Sequence, residues 1–362
     1  MTQPTPESPQ ALELSKVQGG PDSSFADGSG PERSDFWSYL ARKVGAAFIS
    51  FCMLLVIGYI IFNVMPADPV AAITRGRPTS DAQQAHLRET FHLGQPWYER
   101  FFSFVGNTFQ GDLGWSFEYN QSVGSLILDR LWPTILLMGS STIISVVLGM
   151  WLGIRAGWRP GSALDRTASG VSLTLWSVPT FWLGLILLVL FASGTVAGIP
   201  AIFPPGGMET PDSSGGFTID HIMDVAWHLV LPCATLVAVI FAQYVTIMRS
   251  SMIDELGNPY LLTARAKGLS DHDVRRKHAV PNAMLPSVTV IFLQLGGLLG
   301  GAITVETIYS WPGLGYLTFT ALKIPDLPLL QGTFVVFSAA VILFNLFADL
   351  LYRALDPRVR RQ

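Results

Sequence analysis

Long apolar stretches alternate with shorter polar segments along most of this chain. Six of the apolar stretches are close to the roughly 20 residues that a helix needs to cross the hydrocarbon core of a bilayer. Their leucine, alanine and glycine content, without strict alternation, favours helices over barrel strands. The sequence therefore predicts an all-α polytopic membrane protein with six transmembrane helices. The predicted spans are residues 44–65, 132–154, 171–191, 227–248, 287–306 and 333–352.

The residues before the first predicted span have a different composition. Residues 1–34 are rich in Pro, Ser, Gly and Gln and hold few large apolar side chains. Such a segment cannot bury enough surface to offset the entropy cost of ordering it. We therefore expect a disordered cytoplasmic leader over residues 1–34, inert or regulatory, and a transmembrane domain over residues 35–362. No cleavable signal peptide is apparent, because the first apolar run follows this leader and is long enough to span.

The basic residues predict the orientation of the spans. If the N-terminus is inside, 17 of the 23 lysines and arginines fall in cytoplasmic segments. The long first exported segment holds most of the others, and long loops obey the positive-inside rule poorly. The short loops agree with the assignment, so both termini should be cytoplasmic.

The exported segment 66–131 is too long for a bare loop and should be folded. Ser80 with Gln83 is typical of a capping box, and Gly94 is placed to end the helix that this box opens. A second, aromatic-rich helix is expected over residues 97–109.

One face of that second predicted helix is apolar. Trp97, Phe101 and Val105 share it at i, i+4 spacing. The face either packs on the transmembrane helices or rests in the membrane interface, where tryptophan is favoured. The segment is accordingly a structural cap or a docking surface for an extracytoplasmic partner, and both interpretations stay open.

The predicted cytoplasmic segment 249–286 is polar and basic, and it contains residues typical of helix starts and helix ends. The pair Asn258–Pro259 is typical of an N-cap followed by proline at the first helical position. Gly268 is placed to end that helix in a left-handed conformation. Ser270, with an aspartate three residues later, opens a second helix. We expect a short helix, a glycine turn and another short helix, which suits docking of a soluble partner.

A few polar and small residues inside the spans are candidates for a translocation path. Gln243 and Gln294 either face such a path or form an interhelical hydrogen bond. Glu306, at the outer end of the fifth span, either faces water or anchors the WPGLG turn that follows it. Overlapping GxxxG patterns in the same span predict close helix approach, within the chain or at a subunit interface or pore. These glycines are Gly296, Gly297, Gly300 and Gly301.

Several kinds of chemistry have no support in the sequence. It contains no GxxxxGK[ST] phosphate loop, no HExxH and no GxSxG motif. The six histidines show no metal-ligand spacing, and Cys52 and Cys233 both fall in predicted spans, which indicates packed thiols. The chain is therefore expected to be no enzyme, to carry no ATPase site of its own, and to bind no metal, cofactor or nucleic acid.

The order of these segments resembles the membrane-spanning subunits of bacterial ABC importers for dipeptides, oligopeptides and nickel. Residues 260–281 are similar to that family's cytoplasmic coupling motif, EAA, three residues, G, nine residues, I, one residue, LP. Gly268 takes the glycine, Ala264 the second alanine and Pro281 the proline. Leu262, Thr263 and His278 depart from the motif. Further family-like segments are GDLGWS at 111–116, SVPTFWLG at 177–184, ETIYSWPGLG at 306–315 and NLFADLLYRALDPR at 345–358.

Those departures do not argue against the family. Peptide-type members commonly have TARAKGLS at this place, as residues 263–270 do. The long first exported loop is similar to that of the first of the two membrane subunits in these systems.

The resemblance implies a translocation subunit of a di- or oligopeptide importer. It would form the pathway with a homologous membrane subunit, receive substrate from an extracytoplasmic binding protein, and couple through residues 258–281 to separate cytoplasmic subunits that bind ATP. The residues that the resemblance assigns to this coupling are Tyr260, Thr263, Ala264, Arg265, Lys267, Gly268 and Pro281.

Two other functions stay open from the residues. An importer for nickel or another small solute would share the same membrane subunit design. A secondary transporter working without ATP would place ionisable residues at mid-membrane and would not need a capped helix pair on the cytoplasmic side, and both expectations disagree with the sequence.

Overall fold

A computed structural model describes residues 32–64, 80, 95–194, 200–211, 216, 218–295, 302–324 and 326–355. The chain divides into two compact units, residues 1–45 and residues 46–362. The described part of the first unit is the beginning of a long helix, and the second unit holds the other helices and strands of the described residues.

Most of the described residues are helical. The helices are α1 Glu32–Tyr59, α2 Trp97–Phe109, α3 Val123–Trp158, α4 Ala163–Ser177, α5 Thr180–Phe191, α6 Ile219–Leu256, α7 Pro259–Ala266, α8 Asp271–Asp273, α9 Val280–Leu295, α10 Ile303–Ile308, α11 Leu314–Lys323 and α12 Leu327–Leu355. A π-helical turn, Ile60–Val64, follows α1, and a second one, Val274–Ala279, joins α8 to α9.

Four helices of the described part are long and apolar enough to cross a membrane. They lie at 37–63, 123–158, 219–256 and 327–351, and each contains most of one predicted span. The prediction of an all-α polytopic membrane protein is confirmed to that extent. The fifth predicted span falls on α9 and α10, whose connection lies outside the described residues, so the number six stays a prediction.

The third predicted span is not one continuous helix. It consists of α4 and α5, which meet at an angle of 100°. Pro179 is the N-cap residue of α5, and Val178 before it has extended backbone angles. Proline disfavours the helical conformation in the residue that precedes it, so the break falls where the sequence places Pro179.

Segment 66–131, which the sequence predicts to be exported, is partly helical in its described residues, as predicted. The helix α2 has the predicted bounds, and Phe101 lies against Tyr59 of α1 with a ring separation of 5.2 Å. The helix expected between Ser80 and Gly94 lies outside the described residues, Ser80 itself excepted.

A short antiparallel hairpin was not predicted. Its strands are β1 Trp115–Ser116 and β2 Gln121–Ser122. The carboxylate of Asp326, which is 3% exposed, accepts hydrogen bonds from the Ser116 hydroxyl at 2.6 Å and from the Glu118 amide at 3.2 Å. Asp326 also accepts from the Leu329 amide at the start of α12. One carboxylate thus fixes the hairpin to the last long helix.

The helices α3 and α6 approach each other closely, and glycine makes the approach possible. Gly149, Gly153 and Gly157 follow each other at four-residue spacing on one face of α3. A Cβ on Gly153 would stand 2.7 Å from the Met248 Cβ and 2.8 Å from the Val245 carbonyl oxygen. The other two glycines meet α6 equally closely. We call these three residues the glycine seam.

The glycine seam predicts the effect of a substitution. Gly153→Val should push α3 and α6 apart and cost about 1–3 kcal/mol, the usual range for overpacking. The measurement is thermal unfolding of the detergent-solubilised protein. Gly139→Val is the control, because a Cβ on Gly139 of the same helix would meet no atom within 4 Å. Equal melting temperatures for the two variants would contradict the close approach.

Candidate functional site

The capped helix that the sequence predicts in segment 249–286 is α7. Asn258 occupies its N-cap position and Pro259 its first turn. The Asn258 side chain, however, donates to the Glu255 carboxylate at 2.7 Å and makes no cap hydrogen bond.

Glycine ends α7 as predicted. Gly268 has φ of +81°, in the left-handed region. Its amide donates to the Arg265 carbonyl at 2.9 Å, and the Leu269 amide donates to the Ala264 carbonyl at 3.4 Å. This pair of bonds is the Schellman arrangement at a helix C-terminus.

The second predicted helix begins at the expected cap but does not end before the fifth span. The Ser270 hydroxyl accepts from the Asp273 amide at 3.1 Å and donates to its carboxylate at 2.7 Å. That donation and the ammonium of Lys277 lower the pKa of Asp273. From here α8, the π-helical turn and α9 follow without a break. Pro281 has no backbone N–H, so it cannot donate the α-helical hydrogen bond at its position in α9. The π-helical turn Val274–Ala279 lies just before it.

One side of α7 is packed against the long helices. Leu261 and Ala264 are buried in a cluster that includes Met248 and Met252 of α6 and Val274 of the π-helical turn. Ala264, a predicted coupling residue, therefore serves packing within the chain.

The other side of α7 is open. Thr263, Arg265, Lys267 and Gly268 are exposed there, and Pro281 near the start of α9 is exposed as well. The contribution of these residues to coupling stays a prediction.

An apolar neighbour adds to this open side. The Leu262 side chain is 65% exposed and Leu269 is 37% exposed. The accessible surface therefore combines two leucines with basic and small residues. We call residues 262, 263, 265, 267 and 269 the α7 ridge.

Tyr260 links α7 to two long helices. Its hydroxyl donates to the Glu255 carboxylate at the end of α6 and accepts from the Asn282 amide of α9 at 3.0 Å. Burial and the Glu255 carboxylate raise the pKa of Tyr260. Glu255 and Asn282 were not predicted, because nothing in their local sequence indicates that they meet.

A tryptophan at the end of α3 contacts the residues around the C-terminus of α7 and the start of α8. Trp158 is 6% exposed, and its indole N–H donates to the Asp271 carboxylate at 2.9 Å. The guanidinium carbon of Arg265 lies 5.7 Å from the centroid of the Trp158 ring, and Arg265 and Asp271 approach to 3.9 Å. We call Trp158, Arg265 and Asp271 the tryptophan clasp.

An ion pair with a buried carboxylate and a partly exposed arginine lies beside the clasp. Asp165 of α4 is 2% exposed and accepts two hydrogen bonds from the guanidinium of Arg249 in α6. One comes from Nε of Arg249 and the other from Nη2, which lies 3.0 Å from Oδ2 of Asp165. The Gly161 amide also donates to Asp165 at 2.8 Å. The pair connects α4 to α6 at the level where α6 continues into the loop.

The two predicted glutamines bond to each other across helices. Gln294 of α9 donates to Gln243 of α6, and the Tyr244 hydroxyl donates to Gln294 at 3.2 Å. The interhelical hydrogen bond, one of the two predicted alternatives, is confirmed. Their role in a translocation path stays a prediction, and Gly296, Gly297, Gly300 and Gly301 lie outside the described residues.

Glu306 anchors the WPGLG turn, the second of its two predicted alternatives. Its side chain is 0% exposed, so it does not face water in this structure. The carboxylate accepts from the Thr134 hydroxyl at 2.8 Å and from the Tyr316 amide at 3.0 Å. A Cβ on Gly313 would stand 2.3 Å from this carboxylate, so the turn requires glycine there. Its predicted part in a pathway or interface is untested.

Removing the anchor should destabilise the fold. Glu306→Ala removes the acceptor of the Thr134 hydroxyl proton and of the Tyr316 amide, and only the bond from the Leu314 amide to the Thr134 oxygen remains. Each donor left without an acceptor costs about 1–3 kcal/mol. Glu306→Gln keeps an acceptor oxygen and should cost less. Thermal unfolding in detergent tests both, with the half-exposed Glu209 changed to alanine as the control. A Glu306→Ala protein as stable as the control would contradict the anchoring role.

The tryptophan clasp yields a second test. Trp158→Phe keeps a ring but removes the indole donor, which should cost about 1 kcal/mol. Hydrogen–deuterium exchange of residues 259–271 should then increase several-fold. Trp151→Phe on the same helix is the control, since Trp151 is 52% exposed and its ring lies 3.9 Å from the guanidinium carbon of Arg155, one turn later in α3. Unchanged exchange in the Trp158 variant would show that the clasp does not hold α7.

Two family models match most of the chain. Residues 145–361 match the family model described as the binding-protein-dependent transport system inner membrane component, and residues 36–138 match the model for the N-terminal part of such components.

Curated relatives are matched over almost their whole length. The chain is 34% identical to the dipeptide transport system permease protein DppB of Escherichia coli (strain K12), over 90% of this chain and 99% of the relative. It is 32% identical to the oligopeptide transport system permease protein AppB of Bacillus subtilis (strain 168), over 89% and 99%. It is 34% identical to the glutathione transport system permease protein GsiC of Escherichia coli O6:H1, again over 89% and 99%.

Proposed function

Because this chain belongs to the family of binding-protein-dependent transport system inner membrane components, we propose that it is the translocation subunit of an ATP-driven importer of di- or oligopeptides. It is a multi-pass protein of the bacterial inner membrane and a peptide-type ABC permease. Like other permease subunits, it leaves ATP binding and hydrolysis to separate subunits.

The observation that carries the coupling proposal is the way α7 is held. Tyr260 ties it to α6 and α9, the tryptophan clasp ties it to α3, and its buried side lies on α6. A force on α7 therefore reaches three long helices through packed side chains and hydrogen bonds. Rigid-body switching between inward- and outward-facing states needs such a connection.

The α7 ridge is the proposed contact for the ATPase subunit. Leu262 and Leu269 supply apolar area, and Arg265 and Lys267 are placed to meet acidic groups. Two exposed leucines that flank two basic residues suit a groove that offers both apolar and acidic groups. In the proposed topology this surface is cytoplasmic, as both termini are.

The pathway would lie between this chain and a homologous membrane subunit. Gln243, Gln294 and the glycines of residues 296–301 are the proposed contributors from this chain, and an extracytoplasmic binding protein would deliver the substrate. The dipeptide, oligopeptide and glutathione relatives are 32–34% identical to this chain, so the identities favour peptides as a class without choosing a length.

The first experiment is a gentle purification of the tagged chain from its own cells, followed by mass spectrometry. We expect a second membrane subunit of the same family and an ATPase subunit to co-purify. Reconstituted complex should hydrolyse ATP faster when a peptide-loaded binding protein is added. A chain that purifies alone and moves solute in liposomes without ATP would instead support a secondary transporter.

Gly268 is the sharpest single position for testing the coupling. Gly268→Val forces a β-branched side chain into a left-handed conformation, which such residues almost never adopt. We expect loss of the ATPase subunit from the purified complex and loss of ATP-dependent peptide uptake, with membrane insertion unchanged.

Two variants control for this result. Gly268→Asn should retain much of the uptake, because asparagine tolerates the left-handed region. Gly257→Val makes the same substitution at the end of α6, where φ is −78°, and should be milder. Uptake by Gly268→Val equal to that of Gly257→Val would count against the proposed coupling.

A further inference from the structure

One face of α3 is apolar and exposed over the thickness of a membrane. Residues 131–154 contain no Asp, Glu, Lys or Arg, and this run is about 36 Å long at the rise of an α-helix. Six large side chains follow one another every three or four residues along this face, with Gly139 in the gap between residues 135 and 143. Each is 45–69% exposed. They are Leu128, Trp132, Ile135, Ile143, Val147 and Trp151, and we call them the α3 stripe.

The buried face of α3 has a different composition. Ser141 and Ser145 continue the four-residue spacing of the glycine seam, and all five residues of this series are buried. Helices that pack on each other inside a membrane favour such small residues, because they let the backbones approach. The α3 stripe has large branched and aromatic side chains instead, which suit contact with lipid.

Tryptophan marks both ends of the α3 stripe. Trp132 and Trp151 lie about 28 Å apart along the helix axis, close to the roughly 30 Å of the hydrocarbon core. Arg130 precedes the first and Arg155 follows the second. Tryptophan is enriched at the two interfaces between membrane and water. The spacing therefore places the two tryptophans at the two headgroup levels of a bilayer.

At one of these levels an arginine lies over the tryptophan. The guanidinium carbon of Arg155 is 3.9 Å from the centroid of the Trp151 ring, which is a cation–π contact. Arg155 is itself exposed. The contact holds a positive charge at the end of the apolar stripe, where the phosphate group of a lipid lies.

The residues that follow Arg155 add to this charge. Arg159 ends α3, Arg166 lies in α4, and both are exposed. The one acidic residue of this stretch is Asp165, whose buried carboxylate is bonded to Arg249. Within the described part of the chain, none of the three exposed arginines forms an ion pair. Their charge is therefore available to an anion from outside the chain.

We propose that this end of the α3 stripe binds an anionic phospholipid, with the phosphate at Arg155 and Arg159 and an acyl chain along Val147 and Trp151. A phospholipid matches both parts of the surface, since it is negative at its headgroup and apolar along its chains. A soluble anion would use the arginines alone and leave the stripe uncovered. In the proposed topology the site lies in the cytoplasmic leaflet. It does not depend on the substrate or on the coupling proposed above.

Native mass spectrometry of the purified full chain, with the subunits that co-purify, tests the site. The protein in detergent is mixed with equal amounts of phosphatidylglycerol and phosphatidylcholine that carry the same acyl chains. The native protein should retain several-fold more phosphatidylglycerol. Arg155→Gln combined with Arg159→Gln should lower that retention several-fold, whereas Arg155→Lys keeps the charge and should retain most of it.

A matched control removes the same charge elsewhere. Arg275→Gln combined with Arg276→Gln takes two arginines from the π-helical turn Val274–Ala279 and should leave the retention of phosphatidylglycerol unchanged. The single variants Arg155→Glu and Arg276→Glu repeat the comparison, so that a double variant which fails to fold does not decide the result.

Three outcomes would overturn the proposal. Equal losses of phosphatidylglycerol at the two positions would show attraction to net charge without a site. Displacement of the lipid by an equal concentration of inorganic phosphate would show an anion site without contact to acyl chains. Unchanged lipid retention, with loss of the ATPase subunit from the Arg155 and Arg159 variant, would assign the arginines to a protein contact.

Discussion

The close contact between α3 and α6 is the constraint on which the rest of the described structure depends. Without side chains at the glycine seam, the two helices approach until backbone and Cβ atoms touch. The same two helices end close to segment 257–281, α3 at Trp158 and α6 at Leu256. Met248 and Met252, which face the seam, also form the surface on which α7 packs. The position of the α7 ridge is therefore set by a distance between two helix backbones.

Three buried carboxylates join further elements of the fold by hydrogen bonds. Asp165 joins α4 to α6 through Arg249, Glu306 joins the WPGLG turn to α3 through Thr134, and Asp326 joins the hairpin to α12 through Ser116. Each of these acids is 3% exposed or less, and each is satisfied by several donors. Buried polar groups of this kind are costly when one partner is lost, which makes them specific for one arrangement of helices. These acids therefore favour the one arrangement of the helices in which their donors are in place.

Local signals in the sequence predicted local structure well. The bounds of α2, the glycine turn at Gly268 and the cap at Ser270 follow from residues adjacent in the chain. The glutamine pair and the role of Glu306 were each predicted as one of two alternatives, since a polar residue in an apolar run must find a partner whose identity is not local. The glycine seam has a signal of its own, its four-residue spacing, yet only the glycines of residues 296–301 were predicted to bring helices close. The contacts of Trp158 and Asp326 join residues far apart in the chain, and no local pattern indicates them.

The bond between Ser116 and Asp326 has a consequence for the synthesis of the protein. These residues are separated by 210 positions, so the first exists long before the second has left the ribosome. The Ser116 hydroxyl must therefore bond to another partner until the residues around Asp326 have been made. The same holds for the Thr134 hydroxyl, whose partner Glu306 lies 172 positions later in the chain. These two hydroxyls of the first half of the chain thus meet their native partners only late in synthesis.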